Sequence, residues 1–131
     1  MKKIMSYKSE IEWFKQAEYD IETANIMLSS GRYIYAVFMT HLAIEKTLKG
    51  LWASKFKEDA PKTHNLVYLY SKLSLVLPEE SQRIIDELNY VSIPTRYAET
   101  LDKLFVNFPK DRTESIISNS TMVLSWLKNQ I

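Results

Sequence analysis

The sequence predicts an all-α protein, an up-and-down antiparallel helical bundle of about five helices. The 131 residues include only two glycines and four prolines, so few positions interrupt regular structure. Apolar residues recur at spacings of three and four, which places them on one face of a helix. Because 46% of the residues are hydrophobic, the chain can build one core, and we expect residues 1–131 to form a single domain.

The first two predicted helices are long. The first is expected from about Ser9 to Ser29, with Gly31 as a left-handed cap. Its core stripe consists of Phe14, Ala17, Ile21, Ala24 and Leu28. The second is expected from about Tyr33 to Phe56 and is apolar on more than one side. That pattern is typical of a central helix or of a helix at a subunit interface.

A polar loop over residues 55–62 separates the second helix from a short, peripheral third helix. Either Thr63 or Asn65 could cap this third helix, since both side chains can accept a backbone hydrogen bond. Pro78 suits the first turn of a fourth helix, because proline lacks the N–H that a first turn leaves unbonded.

The segment from residue 92 to residue 110 has no clean periodicity. We expect Pro94 to break the fourth helix, with at most a short helical turn around residues 97–105. A loop of this length in a compact domain is often functional. The last helix is expected over about residues 111–129.

The overall composition excludes several classes of protein. The formal net charge is +1, which does not fit a strongly basic nucleic-acid binder. The absence of cysteine excludes disulfides and thiolate metal sites. No apolar run reaches the roughly 18 residues of a membrane span, and the first residues lack the apolar core of a signal peptide. We therefore expect a cytoplasmic protein that needs no metal and no cofactor.

The most unusual feature of the second helix is a polar pair within its apolar face. His41 and Glu45 lie in the stretch GRYIYAVFMTHLAIEKTLKGLW, and Lys49 follows one turn later. Residues spaced by four follow one another along one helix face. Buried ionisable groups are costly unless paired, so these three residues are candidates for ligand binding. The alternative is a satisfied core pair that fixes the register of the helix.

A second candidate is His64, in the run Lys62-Thr63-His64-Asn65 at the predicted start of the third helix. The start of a helix favours anions, and Lys62 adds a positive charge nearby. The alternative is simple capping of the helix.

A third candidate is the pair Arg96 and Tyr97, which follows Pro94 in the long loop. A guanidinium and a phenol are suited to contacts with a phosphate or a base. Alternatively, the arginine ties the loop to a helix carboxylate, either Glu45 or Asp20.

Four segments of the chain resemble the HEPN domain family of small prokaryotic helical proteins. They are Trp13 to Ala24, Gly31 to Lys49, Thr63 to Leu66, and Arg96-Tyr97. The second of these, GRYIYAVFMTHLAIEKTLK, is the most specific. The resemblance implies an up-and-down bundle that forms a homodimer. It also implies a separate minimal nucleotidyltransferase as partner, often in a toxin–antitoxin pair.

The chain departs from the ribonuclease members of the wider superfamily. Those members carry an arginine followed, after four to six residues, by a histidine at the dimer cleft. Here Leu101, Asp102 and Lys103 occupy the corresponding positions, and no histidine follows Arg96. Acid–base cleavage of RNA normally needs such a group, so the sequence argues against catalysis.

The leading hypothesis is a nucleotide-binding or protein-interaction module that acts as a homodimer, paired with a nucleotidyltransferase. The alternative is a metal-independent ribonuclease with a non-standard site at the dimer cleft, formed by Arg96, Tyr97 and a displaced histidine. A third hypothesis is a purely structural bundle in which His41 and Glu45 are a core ion pair.

Overall fold

The computed structural model of the chain describes residues 6–97 and 99–131, with residues 94–96 described by their backbone alone. The described residues form six α-helices and no strand. The helices are α1 (Glu10–Ser29), α2 (Tyr33–Phe56), α3 (Leu66–Lys72), α4 (Glu79–Arg96), α5 (Leu101–Asn107) and α6 (Lys110–Lys128). The predicted all-α bundle is confirmed, with one helix more than the expected five.

Helices α1 and α2 form a closely packed hairpin. The side chain of Ser9 caps α1 by accepting a hydrogen bond from the backbone N–H of Glu12. Gly31, at a φ of 75°, turns the chain into α2. Further along α2, the side chain of Phe14 packs so closely on Gly50 that an added Cβ would lie 2.6 Å from its Cε1.

Helix α2 is the centre of the bundle and contacts each of the other five helices. Its apolar residues are buried on several sides, as predicted for a central helix. The same helix also buries the side chains of His41, Glu45 and Lys49. These groups therefore sit between helices rather than on an outer face.

Helix α3 is short, and polar side chains fix its first turn. Asn65 caps it by accepting a hydrogen bond from the backbone N–H of Tyr68. Asn89 of α4 accepts from the backbone N–H of Leu66 at 2.8 Å and contacts the side chain of Asn65. Of the two predicted capping residues, Asn65 is therefore the one that caps the helix.

The segment over residues 92–110 differs from its prediction. Helix α4 continues past Pro94 to Arg96, and α5 follows after only a few residues. Proline lacks the N–H that would bond to the carbonyl one turn earlier, so α4 gives up one helical bond there and ends two residues later. The side chain of Thr100 caps α5. Leu104 and Phe108 of this segment pack into the core, so most of the expected loop is ordered helix.

None of the helices in the described residues is both long enough and apolar enough to cross a membrane.

Candidate functional site around Glu45

The buried carboxylate of Glu45 is the centre of the polar cluster. Its Oε1 accepts a hydrogen bond from Nδ1 of His64 at 2.8 Å. Its Oε2 accepts one from Nζ of Lys49 at 3.1 Å. Because Glu45 is only 4% exposed, both of its oxygens are satisfied by protein groups rather than by bulk solvent.

His41 lies one turn before Glu45 and has a different role from the one expected of a simple ion pair. Its Nδ1 lies 3.9 Å from Oε1 of Glu45, which is beyond hydrogen-bonding distance. Its Nε2 instead lies 3.1 Å from the backbone carbonyl of His64. The short contacts of Glu45 are therefore those with Lys49 and His64.

The loop over residues 57–65 is held against α2 by these contacts. The ring of His64 is bonded to Glu45, and its carbonyl is bonded to His41. In the same loop, Oδ1 of Asp59 accepts the backbone N–H of Lys8 at 3.0 Å. His64 is thus fixed at two points by residues spaced one helical turn apart on α2.

The hydrogen-bond partners determine which ring nitrogen carries a proton. A carboxylate and a carbonyl can only accept, so Nδ1 of His64 and Nε2 of His41 are both donors. The side chain of His64 is 63% exposed, whereas that of Glu45 behind it is buried. The arrangement leaves Nε2 of His64 on the outer edge of the ring, where it has no protein partner among the described residues.

The charges in the cluster compensate each other. Glu45 and Lys49 are both buried, and each would lose much of its hydration if it stood alone. Their contact pairs one negative with one positive charge, and His64 provides a further donor to the carboxylate. The chemical result is an exposed imidazole whose orientation and tautomer are set by a buried carboxylate.

Helix α1 adds an aromatic residue, Trp13, to the site, where its position in the sequence does not place it. Nζ of Lys49 lies 5.8 Å from the ring centroid of Trp13, and Nζ of Lys8 lies 3.9 Å from it. Such distances are typical of cation–π contacts. Trp13 and Lys49 are far apart in sequence, and only the packing of α1 on α2 brings them together.

The other residues named from the sequence, Arg96 and Tyr97, are not part of the cluster that the structure describes. The side chain of Arg96 lies outside the described residues. Tyr97 directly follows α4 as its C-cap residue and is 79% exposed. Asp20, one of the two carboxylates considered as a partner for the arginine, pairs with Lys46 at 2.8 Å. Among the described residues, the site is therefore His41, Glu45, Lys49 and His64, with Trp13 beside them.

Metal binding has no geometric support in the ranges 6–97 and 99–131. No group of three or more histidine, cysteine, aspartate or glutamate side chains there is placed to hold a metal ion.

The comparison with protein families matches residues 11–130 to the HEPN domain. The chain belongs to the HEPN domain family. Two solved structures share the fold. TT1696 from Thermus thermophilus is 24% identical, with a TM-score of 0.82 over 93% of this chain and 98% of the other. ST0689, described as an archaeal HEPN homologue, is 26% identical, with a TM-score of 0.72 over 94% of this chain and 98% of the other. No protein of curated function matches.

Proposed function

We propose that this HEPN domain is a non-catalytic binding module that acts as a homodimer. The observation that carries the proposal is a set of large apolar side chains at the end of α4 and along α5, each more than half exposed. We call this set the α4–α5 surface. It consists of Tyr90, Ile93, Tyr97, Leu101, Phe105 and Val106.

The α4–α5 surface follows from the helical spacing of these residues. Tyr90, Ile93 and Tyr97 are separated by three and four positions, so they form one stripe at the end of α4. Leu101 and Phe105 are related in the same way on α5. Several large apolar side chains exposed on two successive helices are typical of an interaction site.

A second copy of the chain is the occupant that this surface fits. In a two-fold dimer the same patch faces itself, so apolar groups meet apolar groups. The net charge of +1 gives little repulsion between copies. A standard interface takes about 800 Å² from each partner, and the three aromatic side chains of the set, Tyr90, Tyr97 and Phe105, are the residue type that contributes most area to interfaces.

The dimer is tested by a matched pair of variants. Ile93→Lys puts a charge into the α4–α5 surface, where Ile93 is 67% exposed, and Ile26→Lys puts the same charge on α1, where Ile26 is 62% exposed. Sedimentation equilibrium should show a dimer for the parent protein and for the Ile26 variant. The dimer dissociation constant of the Ile93 variant should be about 30-fold higher, which corresponds to about 2 kcal/mol for a central interface residue. A monomeric parent protein, or equal dimerisation of both variants, would contradict the proposed interface.

The ligand and the partner of the module are proposed on the family resemblance, as a nucleotide and a separate minimal nucleotidyltransferase. The residues that support a nucleotide are the exposed imidazole of His64 and the exposed Lys62 two positions before it, since both groups contact phosphates. Isothermal titration with ATP and GTP should show saturable binding, and the affinity should be lower in Lys62→Ala. Binding of the neighbouring gene's product should be measured by pull-down. If neither ligand nor partner binds, the module assignment is wrong.

The ribonuclease alternative has less support from the geometry. Acid–base cleavage of RNA uses one group that takes a proton and another that gives one. Of the two histidines in the chain, His41 is completely buried, so only His64 can reach a substrate. Incubation of purified protein with a labelled RNA should leave the RNA intact. Cleavage that disappears in His64→Gln would favour the enzyme instead.

A further inference from the structure

We infer that His64 is a nucleophilic site that accepts a phosphoryl group on Nε2, with Glu45 as its positioning residue. The site is independent of the dimer, because it involves α2 and the loop before α3 rather than the α4–α5 surface. The first observation is the orientation of the ring. Nδ1 is bonded to the buried carboxylate at 2.8 Å, so the lone pair of the neutral imidazole lies on Nε2, toward solvent.

The second observation is the charge arrangement behind the ring. When Nε2 attacks an electrophile, positive charge develops on the imidazole, and a carboxylate on Nδ1 stabilises that charge. Glu45 is placed to do so. Its other oxygen is bonded to Lys49 at 3.1 Å, which offsets the negative charge that would otherwise repel an incoming phosphate.

The third observation is that the chain offers a single reactive histidine. It has two histidines, and His41 is completely buried with its Nε2 directed at the carbonyl of His64. Only His64 is accessible to a reagent in the folded protein. Any phosphohistidine that forms on the folded chain is therefore expected at this one residue.

The step balances without an oxidant or a reductant. With a phosphoramidate as donor, the lone pair of Nε2 forms the new N–P bond while the P–N bond of the donor breaks. The leaving amine departs as ammonia with the proton it already carries. His64 keeps its Nδ1 proton, which stays bonded to Glu45, and the product is an Nε2-phosphorylated ring.

The test is incubation of the intact protein with potassium phosphoramidate, followed by ³¹P NMR, which distinguishes phosphate on Nε2 from phosphate on Nδ1. The folded protein should give only the Nε2 product from the earliest times, and faster than a synthetic peptide of residues 58–68, which should give both isomers. His64→Gln should give no product. Reaction at Nδ1, or a rate equal to that of the peptide, would overturn the inference.

The role of Glu45 is tested with a variant and a matched control. Glu45→Gln should slow the reaction by about tenfold or more, a loss of the size found when the carboxylate behind a metal-binding histidine is removed. Glu58→Gln makes the same change at an exposed position in the same loop and should leave the rate unchanged. An unchanged rate in the Glu45 variant would contradict the positioning role.

A double variant covers the case in which the Glu45 variant does not fold. Glu45→Leu combined with Lys49→Met removes both buried charges together and so leaves neither unpaired. This variant should remain folded by circular dichroism, react slowly, and form both isomers because nothing holds Nδ1. If it forms only the Nε2 product at the parental rate, Glu45 does not position the ring.

Discussion

Removing the charge of Glu45 should destabilise the fold strongly. Glu45 and Lys49 are 4% and 8% exposed, so Glu45→Gln leaves an ammonium group buried without its carboxylate. Breaking a buried ion pair on one side costs about 3–5 kcal/mol. We expect the lower end, about 3 kcal/mol, because lysine can move its ammonium toward water along its flexible stem.

Urea unfolding followed by circular dichroism measures this loss. For a slope of about 1.5 kcal/mol per molar urea, a loss of about 3 kcal/mol lowers the midpoint by about 2 M. The double variant Glu45→Leu with Lys49→Met should recover most of the loss, since no unpaired charge remains. Glu58→Gln, on the exposed loop, should change the free energy of unfolding by less than about 0.5 kcal/mol. A single Glu45 variant as stable as the Glu58 control would show that the buried ion pair does not hold the fold together in this way.

Three further predictions concern packing, capping and pH. Gly50→Ala should lower the free energy of unfolding, because the added Cβ would lie 2.6 Å from the Phe14 ring. Such overpacking costs about 1–3 kcal/mol, more than the about 1 kcal/mol of helix propensity gained. A higher melting temperature would contradict this. Ser9→Ala should cost about 1 kcal/mol in urea unfolding through loss of the α1 cap, and no change would mean that the cap contributes nothing. Burial, together with the carboxylate of Asp86 that accepts its hydrogen bond, raises the pKa of Tyr70. As the pH rises above about 10, the phenol therefore loses its proton in the unfolded chain first, and the free energy of unfolding should fall. Tyr70→Phe should show a smaller fall in melting temperature over that range. Identical pH profiles for the two proteins would show that Tyr70 does not cause the fall.

The helical framework was predictable because it depends on local sequence. The start of α1 after Ser9 and the turn at Gly31 follow from the preferences of single residues for caps and positive φ. The central position of α2 follows from its apolar residues on several sides. The spacing of four between Glu45 and Lys49 also indicated correctly that the two side chains share a face.

The partners of Glu45 outside α2 were not predictable in the same way. His64 is far from it in sequence, and nothing in the local pattern indicates that its ring turns toward α2 rather than toward the start of α3. The cap of α3 belongs to Asn65, which leaves the neighbouring imidazole free for the carboxylate. Contacts of this kind depend on how helices and loops dock, and periodicity carries no information about them.

The short helix α5 was predicted only in part, as a short helical turn around residues 97–105, for a different reason. Its residues, Leu101–Asn107, make fewer than two full turns, too few for an apolar period to stand out. Pro94 also suggested an earlier end of α4, whereas the helix continues to Arg96. Proline removes the bond to the carbonyl one turn earlier and therefore places the end of a helix only to within about a turn.

The most direct test of the account is the protonation state of the two histidine rings, measured by long-range ¹H–¹⁵N NMR at about pH 8, where an ordinary histidine is neutral. If Glu45 holds His64 as described, Nδ1 of His64 carries the proton and Nε2 does not, while His41 carries its proton on Nε2. A proton on Nε2 of His64 instead would show that the buried carboxylate does not control this ring, and both the site around Glu45 and its nucleophilic role would be wrong.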